Sequence, residues 1–527
     1  MILGCVHPLL GLSMFLRVGA SLALAAAAEY ILLKGGTVVN EHETRKADVL
    51  VSSATGKVVK VGEVTDVPAG TKTLDVTNKM VMPGGIDPHT HLEMPFMGQT
   101  ACDDYSSGHK AALAGGTTMH IDFALPVDGS LLKGYDVWRK KGEKANMDYA
   151  FHMAVTAWNQ QISREMDVIV NEKKVNSFKF FMAYKGALMV NDEQLLEGFQ
   201  RVLDLGALAQ VHAENGDGVA FGQQKQIDSG CYQPHCHALS RPAILEGEAT
   251  NRAIQLSSFV GNPLYVVHVM SQEAAEACRR GKEQGLRVWC EPTLAGLTKD
   301  ESEMWSDDFS WAAAHVMSPP IRKLNEDGQV LRKYLKSRIL DLVATDHAVF
   351  NTTQKKAGVK DFRVLPNGIN GLEERIPVLW AELVHRTGLL TPQEFVRATS
   401  SQAAKLFNVY PRKGLVAEGS DADLFVLDPR PETFEKVEAA KHHSALDLNA
   451  FEGFTKAKVE TTISRGKLAW HNNEILTKDG DGRYIETEPF APLVYDGLVR
   501  ENSIRHQSEF PYTVANTAAK RKAKSEL

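Results

Sequence analysis

The sequence predicts an α/β fold, a TIM (β/α)8 barrel with a small β-sandwich domain formed from both chain ends. Between residues 80 and 350, short β-branched or aromatic runs alternate with longer segments of helical period, the pattern of parallel βα units. The runs number eight, at 80–86, 117–124, 149–155, 178–183, 207–213, 264–270, 287–293 and 340–346, which is the strand count of that barrel. On either side the pattern turns strand-like and turn-punctuated, as in Tyr30-Ile-Leu-Leu-Lys-Gly-Gly and Asp423-Leu-Phe-Val-Leu-Asp. A doubly wound parallel sheet is the alternative reading of the same alternation.

In chain order, residues 1–28 hold a single charge, Arg17, followed by an apolar run ending in alanines that suit an A-x-A cleavage site. They read as a signal peptide, with the ER lumen or secretion as destination. The competing readings are an uncleaved anchor, although the run is short of the ~20 residues a span needs, and an organelle transit peptide. Residues 29–79 form the first part of the sandwich, 80–411 the barrel and 412–479 the second part of the sandwich. Residues 480–527 are polar with scattered proline and read as an arm that packs on a neighbouring subunit or is disordered. Their last four, Lys524-Ser525-Glu526-Leu527, resemble the K-D-E-L retrieval signal with Ser where Asp is expected.

The chain has 527 residues, 43% hydrophobic and 24% charged, which excludes disordered, collagen-like and coiled-coil classes. A net charge of −6 offers no basic field for a phosphate backbone, so nucleic acid is not an expected partner. Nor does any stretch after residue 28 approach a membrane span. Six cysteines in so long a chain do not make a disulfide framework, and covalent staples are not expected to hold this fold.

The chemistry is written at the ends of the strand-like runs. Directly after the first comes Asp87-Pro88-His89-Thr90-His91; residues i and i+2 of an extended segment point the same way, so His89 and His91 can face one metal ion. A His-x-His pair alone is weak, because 18 histidines produce such spacings by accident. Recurrence strengthens it: His212 closes the fifth run, His268 lies near the end of the sixth and Asp346 closes the eighth. Histidine and carboxylate ligands without thiolate suit zinc, with manganese or cobalt as alternatives.

The fourth run, Ser177-Phe178-Lys179-Phe180-Phe181, sets a lysine inside an aromatic strand. A buried ammonium is costly, so Lys179 either snorkels, finds a partner or loses its proton. In the sharper reading the neutral amine has reacted with carbon dioxide, and the carbamate bridges two metals ~3.5 to 4 Å apart.

With these residues in view, the phrases Pro83-Gly-Gly-Ile-Asp-Pro-His-Thr-His, Phe178-Lys-Phe-Phe-Met-Ala-Tyr-Lys, Val211-His-Ala-Glu-Asn, His237-Ala-Leu-Ser-Arg-Pro, Met317-Ser-Pro-Pro-Ile-Arg and Ala344-Thr-Asp-His-Ala resemble the dihydropyrimidinase and hydantoinase family of the amidohydrolase superfamily. The similarity runs from about Tyr30 to beyond Ile475. The resemblance implies that His89, His91 and Asp346 bind the more buried of two zinc ions, that His212 and His268 bind the more exposed one, and that Lys179, as N6-carboxylysine, bridges them. It also implies Asp346 as the proton-transferring acid and base and Tyr184 as the catalytic donor to the substrate carbonyl. Ser318 and Asn367 match positions that hold the ring amide, largely through backbone atoms, and Asp87 would support the ligands. The implied reaction is hydrolytic ring opening of 5,6-dihydrouracil or dihydrothymine to N-carbamoyl-β-amino acids by metal-activated hydroxide, in pyrimidine catabolism. Relatives are usually tetramers, so the resemblance also implies a homotetramer acting on a small cyclic ureide.

Rival readings share the fold. Dihydroorotases carry His-x-His-x-Arg, the arginine gripping the substrate carboxylate; here that position is Glu93, expected to repel an anion. Allantoinase and a hydantoinase with little pyrimidine activity would look much alike. A non-enzymatic interaction protein of the collapsin response mediator type would lack metal ligands, whereas every ligand position is filled here. Three smaller features stand apart: Cys231-x4-Cys236 with His235 and His237, whose spacing fits no standard zinc site; His347, a proton shuttle or a packing residue; and the sequon Asn351-Thr352-Thr353.

Overall fold

The computed structural model describes residues 29–509. The expected signal peptide and the Lys-Ser-Glu-Leu terminus lie outside the described residues.

The centre of the molecule is a curled parallel sheet of seven strands, in sequential order. These are β1 (Gly85–Thr90), β2 (Thr117–Ala124), β3 (Asp148–Val155), β4 (Ser177–Phe181), β5 (Leu208–His212), β6 (Leu264–Val266) and β7 (Val288–Cys290). The eighth run forms no regular strand. Parallel bridges from Ala344 to Thr293 and from His347 to Thr90 nevertheless connect it to both edges of the sheet. Ile86, Ile121, Leu208, Tyr265, Trp289 and Leu342 meet in one buried cluster, so the concave face of the sheet is packed with side chains and holds no channel.

Helices cover the convex face. Asp192–Asp204 is typical: Asn191 and Gln194 form a reciprocal cap at its start, and Leu195, Phe199 and Val202 at i, i+4 and i+7 are buried.

The first expected strand, 80–86, divides into two. Met80–Pro83 belongs to a different, seven-stranded sheet, between Thr37–Val39 and Leu424–Asp428, and only Gly85–Thr90 enters the curled sheet. The break falls at Gly84, where a Cβ would lie 2.0 Å from Thr118 Oγ1, so only glycine passes there. This second sheet draws strands from both flanks of the sequence. It shares a core with a four-stranded sheet of residues 30–75: Leu33, Val49 and Val58 on one side meet Val38, Leu424 and Ile463 on the other.

The arm is a second correction. Its described part packs on its own chain: at the start of β3 the Tyr149 amide donates to the Arg483 carbonyl and the Tyr149 carbonyl accepts from the Ile485 amide, and Ile485, Ala491 and Val494 are buried in the same cluster as Ile86 and Leu208. These apolar residues are spaced too widely among polar ones to read as an element in the sequence.

The cysteine expectation also needs correcting. Cys231 is bonded to Cys236 and Cys278 to Cys290, with Cys102 free among the described residues. Both loops are short, so they brace local segments and add modestly to the entropy balance of the whole fold. The Cys231–Cys236 bond also occupies the sulfurs that a zinc knuckle would need. Among the described residues, no helix is long and apolar enough to cross a membrane.

Candidate active site

The carboxyl ends of the strands converge on one cavity of about 410 Å3. His91, Lys179, His212, His268 and Asp346 all line it, with Tyr184, Ser318 and Asn367 on its wall. His89 lies just beneath, fully buried. Asp346 Oδ1 stands 3.2 Å from His89 Nε2 and 3.1 Å from His91 Nε2. Lys179 Nζ is 3.1 Å from His89 Nε2 and sits 4.2 Å from the centre of the Phe123 ring. The rings of His212 and His268 are 4.5 Å apart.

Each position follows from local structure. Lys179 is the middle residue of β4, registered against Ala154 and Gln210, so it projects inward between two neighbouring strands. His212 ends β5, and His268 follows β6 by two residues. Tyr184, His268 and Asp346 adopt φ of 62°, 36° and 55°. Such backbones cost non-glycine residues about 1–3 kcal/mol each and persist where the surrounding structure over-determines them, typically at functional sites.

The electrostatics match a site built around cations. Burial alone would raise the Asp346 carboxyl, but the charges and hydrogen bonds of His89 and His91 hold it well below its ordinary value. Burial brings the Lys179 ammonium down to about 8, against the opposing pull of Asp346 and Glu291, so a large fraction of its amine is neutral near that pH. Burial pushes the Tyr184 hydroxyl up to about 12, keeping it a donor across the neutral range.

Several partners escaped sequence reading. Glu291, one residue past β7, accepts a hydrogen bond from His89 Nδ1 and another from the Tyr265 hydroxyl, and the amide of His268 points at it from 3.2 Å. Glu214 lies 2.8 Å from His212 Nε2, leaving Nδ1 as the ring nitrogen available to a metal. Both carboxylates hold a histidine by its far nitrogen. The rule used for His89 and His91 would have found Glu214, which stands two residues after His212; a search of every strand end would have found Glu291. Asp87 accepts from the amide of His89 at 3.2 Å and the hydroxyl of Thr345 at 2.7 Å, between the two ligand-bearing segments.

Two expectations change. His347 is no proton shuttle: its Nδ1 accepts from the amides of Gly371 and Leu372, and Nε2 donates to Asp103 at 2.9 Å, so both nitrogens are committed within the scaffold. Glu93 does not line the cavity. Three cations of the cavity wall are ion-paired: Lys185 with Asp217, Arg241 with Glu214 and Arg363 with Asp361. Both arginines of this wall face a carboxylate, Arg241 Nε at 3.7 Å from Glu214 and Arg363 Nη2 at 2.7 Å from Asp361.

The model of the amidohydrolase family matches residues 80–469. The chain belongs to the amidohydrolase family. Within it, this amidohydrolase is 50% identical to a dihydropyrimidinase of Arabidopsis thaliana over 474 residues, 90% of this chain and 88% of that protein. Among solved structures it is similar to a dihydropyrimidinase from Brevibacillus agri NCHU1002, with a TM-score of 0.85 at 39% identity over 88% of this chain and 99% of that one. It is similar also to a D-hydantoinase from a Bacillus sp. AR9, with a TM-score of 0.84 at 39% identity over 87% and 99%.

Proposed function

We propose that this amidohydrolase is a dihydropyrimidinase that opens 5,6-dihydrouracil and dihydrothymine to N-carbamoyl-β-amino acids. The observation that carries the reading is the meeting of His89, His91, Lys179, His212, His268 and Asp346 around one cavity whose wall offers Tyr184, Ser318 and Asn367. The curled sheet with its bridged eighth segment supports a closed (β/α)8 barrel, and the two flanking sheets with their shared core support the sandwich.

The donor set fits two zinc ions. His89, His91 and Asp346 bring three ligand atoms within 4.8 Å of one another, and the rings of His212 and His268 stand 4.5 Å apart on the same cavity. His89, His91 and Asp346 would hold one ion and His212 and His268 the other, with carboxylated Lys179 between them; the partly neutral amine is what carbamate formation requires. When bound, such ions supply a water of lowered pKa and polarise a carbonyl.

The chain's own residues do the rest. Asp346, whose Oδ1 faces both histidines, takes the water's proton on Oδ2 and returns it to the departing ring nitrogen. Tyr184 donates to the carbonyl oxygen as negative charge gathers there. Ser318 and Asn367 hold the ring amide; Asn367 Nδ2 donates to Ser318 Oγ at 2.9 Å, which fixes their spacing. The apolar part of the wall, including Met94, Phe96 and Leu125, excludes water from the neutral ring.

Two wider readings have independent support. Two bonded cysteine pairs suit an oxidising compartment, as the composition of residues 1–28 does, and favour entry into the secretory pathway. Exposed Phe221, Ile244 and Phe259, on helices Gly216–Asp228 and Ala243–Val260, offer apolar surface for contact between copies of this chain, as the homotetramer implied by the resemblance requires.

The deciding experiment follows ring absorbance as purified protein acts on 5,6-dihydrouracil and counts zinc in the same sample. Turnover with about two ions per chain is expected. Inertness toward dihydrouracil with both ions bound, alongside turnover of hydantoin, would replace the assignment with hydantoinase.

A further inference from the structure

Behind the cavity wall, and outside its lining, lies a buried lysine that the proposed reaction does not use. Lys355 ends the short helix Thr352–Lys355, which Asn351 caps reciprocally with Gln354. It is 2% exposed and forms no ion pair with a carboxylate among the described residues. Its Nζ donates instead to two backbone carbonyls, of Gly368 at 2.8 Å and of Val316 at 3.4 Å.

Those carbonyls belong to the two segments that carry Ser318 and Asn367. The segments are otherwise joined by the Gly368 amide, which donates to the Val316 carbonyl at 2.8 Å, and by the Asn367 to Ser318 side-chain contact. Neither can shift freely. Gly368 has φ of 147°, and a Cβ there would lie 1.9 Å from the Ala348 carbonyl oxygen. On the other side, His237 Nε2 donates to the Met317 carbonyl at 2.9 Å. Gly368 O has Lys355 as its donor, so removing that donor strands a buried carbonyl at the turn that presents Asn367.

We propose that Lys355 is a positioning residue for substrate binding: by tying Gly368 to Val316 from behind, it fixes the separation of the two main-chain segments that receive the ring amide. This rests on reading the cavity as a cyclic-amide site. Because the ring amide is held alike in the bound substrate and in the transition state, loss of the tie weakens both equally, and the effect falls on KM rather than kcat.

The test is steady-state kinetics of the full-length zinc-loaded protein, as wild type, Lys355→Met and Lys355→Gln, on whichever of dihydrouracil and hydantoin the wild type turns over. Lys355→Met, similar in length but without a donor, should raise KM by about tenfold while kcat stays within about twofold and metal content is unchanged. Lys355→Gln, whose neutral amide NH2 can still donate, should fall between. An unchanged KM in folded Lys355→Met overturns the role, as does a kcat that falls with the fraction of folded protein at constant KM. Should Lys355→Met not fold, Lys355→Gln decides on the same criterion. A wild type inert on both rings with zinc bound overturns the underlying reading, and this inference with it, which is a different result from turnover with unaltered KM.

Discussion

Glu291 holds His89 by the nitrogen that faces away from the cavity. Both side chains are fully buried, and the second carboxylate oxygen is occupied by the Tyr265 hydroxyl. A carboxylate in that position fixes the imidazole as the Nδ1–H tautomer and makes its Nε2 a better ligand. Glu291→Gln should therefore retain the fold and lose about 10- to 100-fold in zinc affinity, read by competition with a chelator. Wild-type affinity in that variant would show that the pair is only structural.

Tyr184 contributes where charge develops. Tyr184→Phe should lower kcat by about 10²- to 10³-fold with zinc content unchanged, the range for loss of one oxyanion donor. Kinetics and metal analysis on one preparation separate this from a loss of metal, which would refute the role.

Lys179 is a third test. Lys179→Ala should lose zinc and activity together, and a short carboxylate such as acetate or propionate should restore part of both by standing in for the carbamate. Full zinc and full rate without added carboxylate would remove Lys179 from the site.

A prediction about pH comes from the joint between the flank and the curled sheet. Lys413 lies 2.7 Å from Asp148 and also meets Asp421 and Asp423. Burial alone would raise the Asp421 carboxyl, but Lys413, Lys57 and Arg412 bring it to about 2 from its ordinary 3.8. The folded state thus binds fewer protons than the unfolded one. The stability Asp421 supplies is complete above pH 3.8 and drains away as pH falls toward 2. Asp421→Asn should lower Tm at neutral pH and flatten its fall in that acid window; a parallel fall in both proteins would refute the assignment.

The cysteines can be read by mass. Iodoacetamide under denaturing conditions should label Cys102 while sparing Cys231, Cys236, Cys278 and Cys290, and should label these four only after reduction. Labels on these four without reduction would show open thiols.

Much of this molecule was legible in the sequence because the signals were local. Runs of β-branched and aromatic residues sit within a few residues of β1 to β7, and His89, His91, Lys179 and His212 were found from their place on those runs. What sequence did not convey was long-range. Met80–Pro83 reads as the start of the next strand, and only its partners, Val38 and Leu424 to Leu427, assign it elsewhere. Glu291 acts through a residue some 200 positions away, at a separation of 202. Ile485, Ala491 and Val494 look like isolated apolar residues until the hydrophobic cluster they complete has formed. The cysteine pairs depend on a turn and on a helix–strand approach, neither of which spacing alone specifies.

The position of Met80–Pro83 also sets an order of events at the ribosome. This strand needs Leu424–Asp428 along one edge, and the cluster beneath the curled sheet needs residues 485–494. Both partners emerge long after the segments that await them. The early part of the chain must spend most of its synthesis with one strand edge bare and one apolar surface wet, a state exposed to mispairing. Completion of both the second sheet and this cluster therefore waits on the last part of the chain, a topology of long-range pairings that folds slowly.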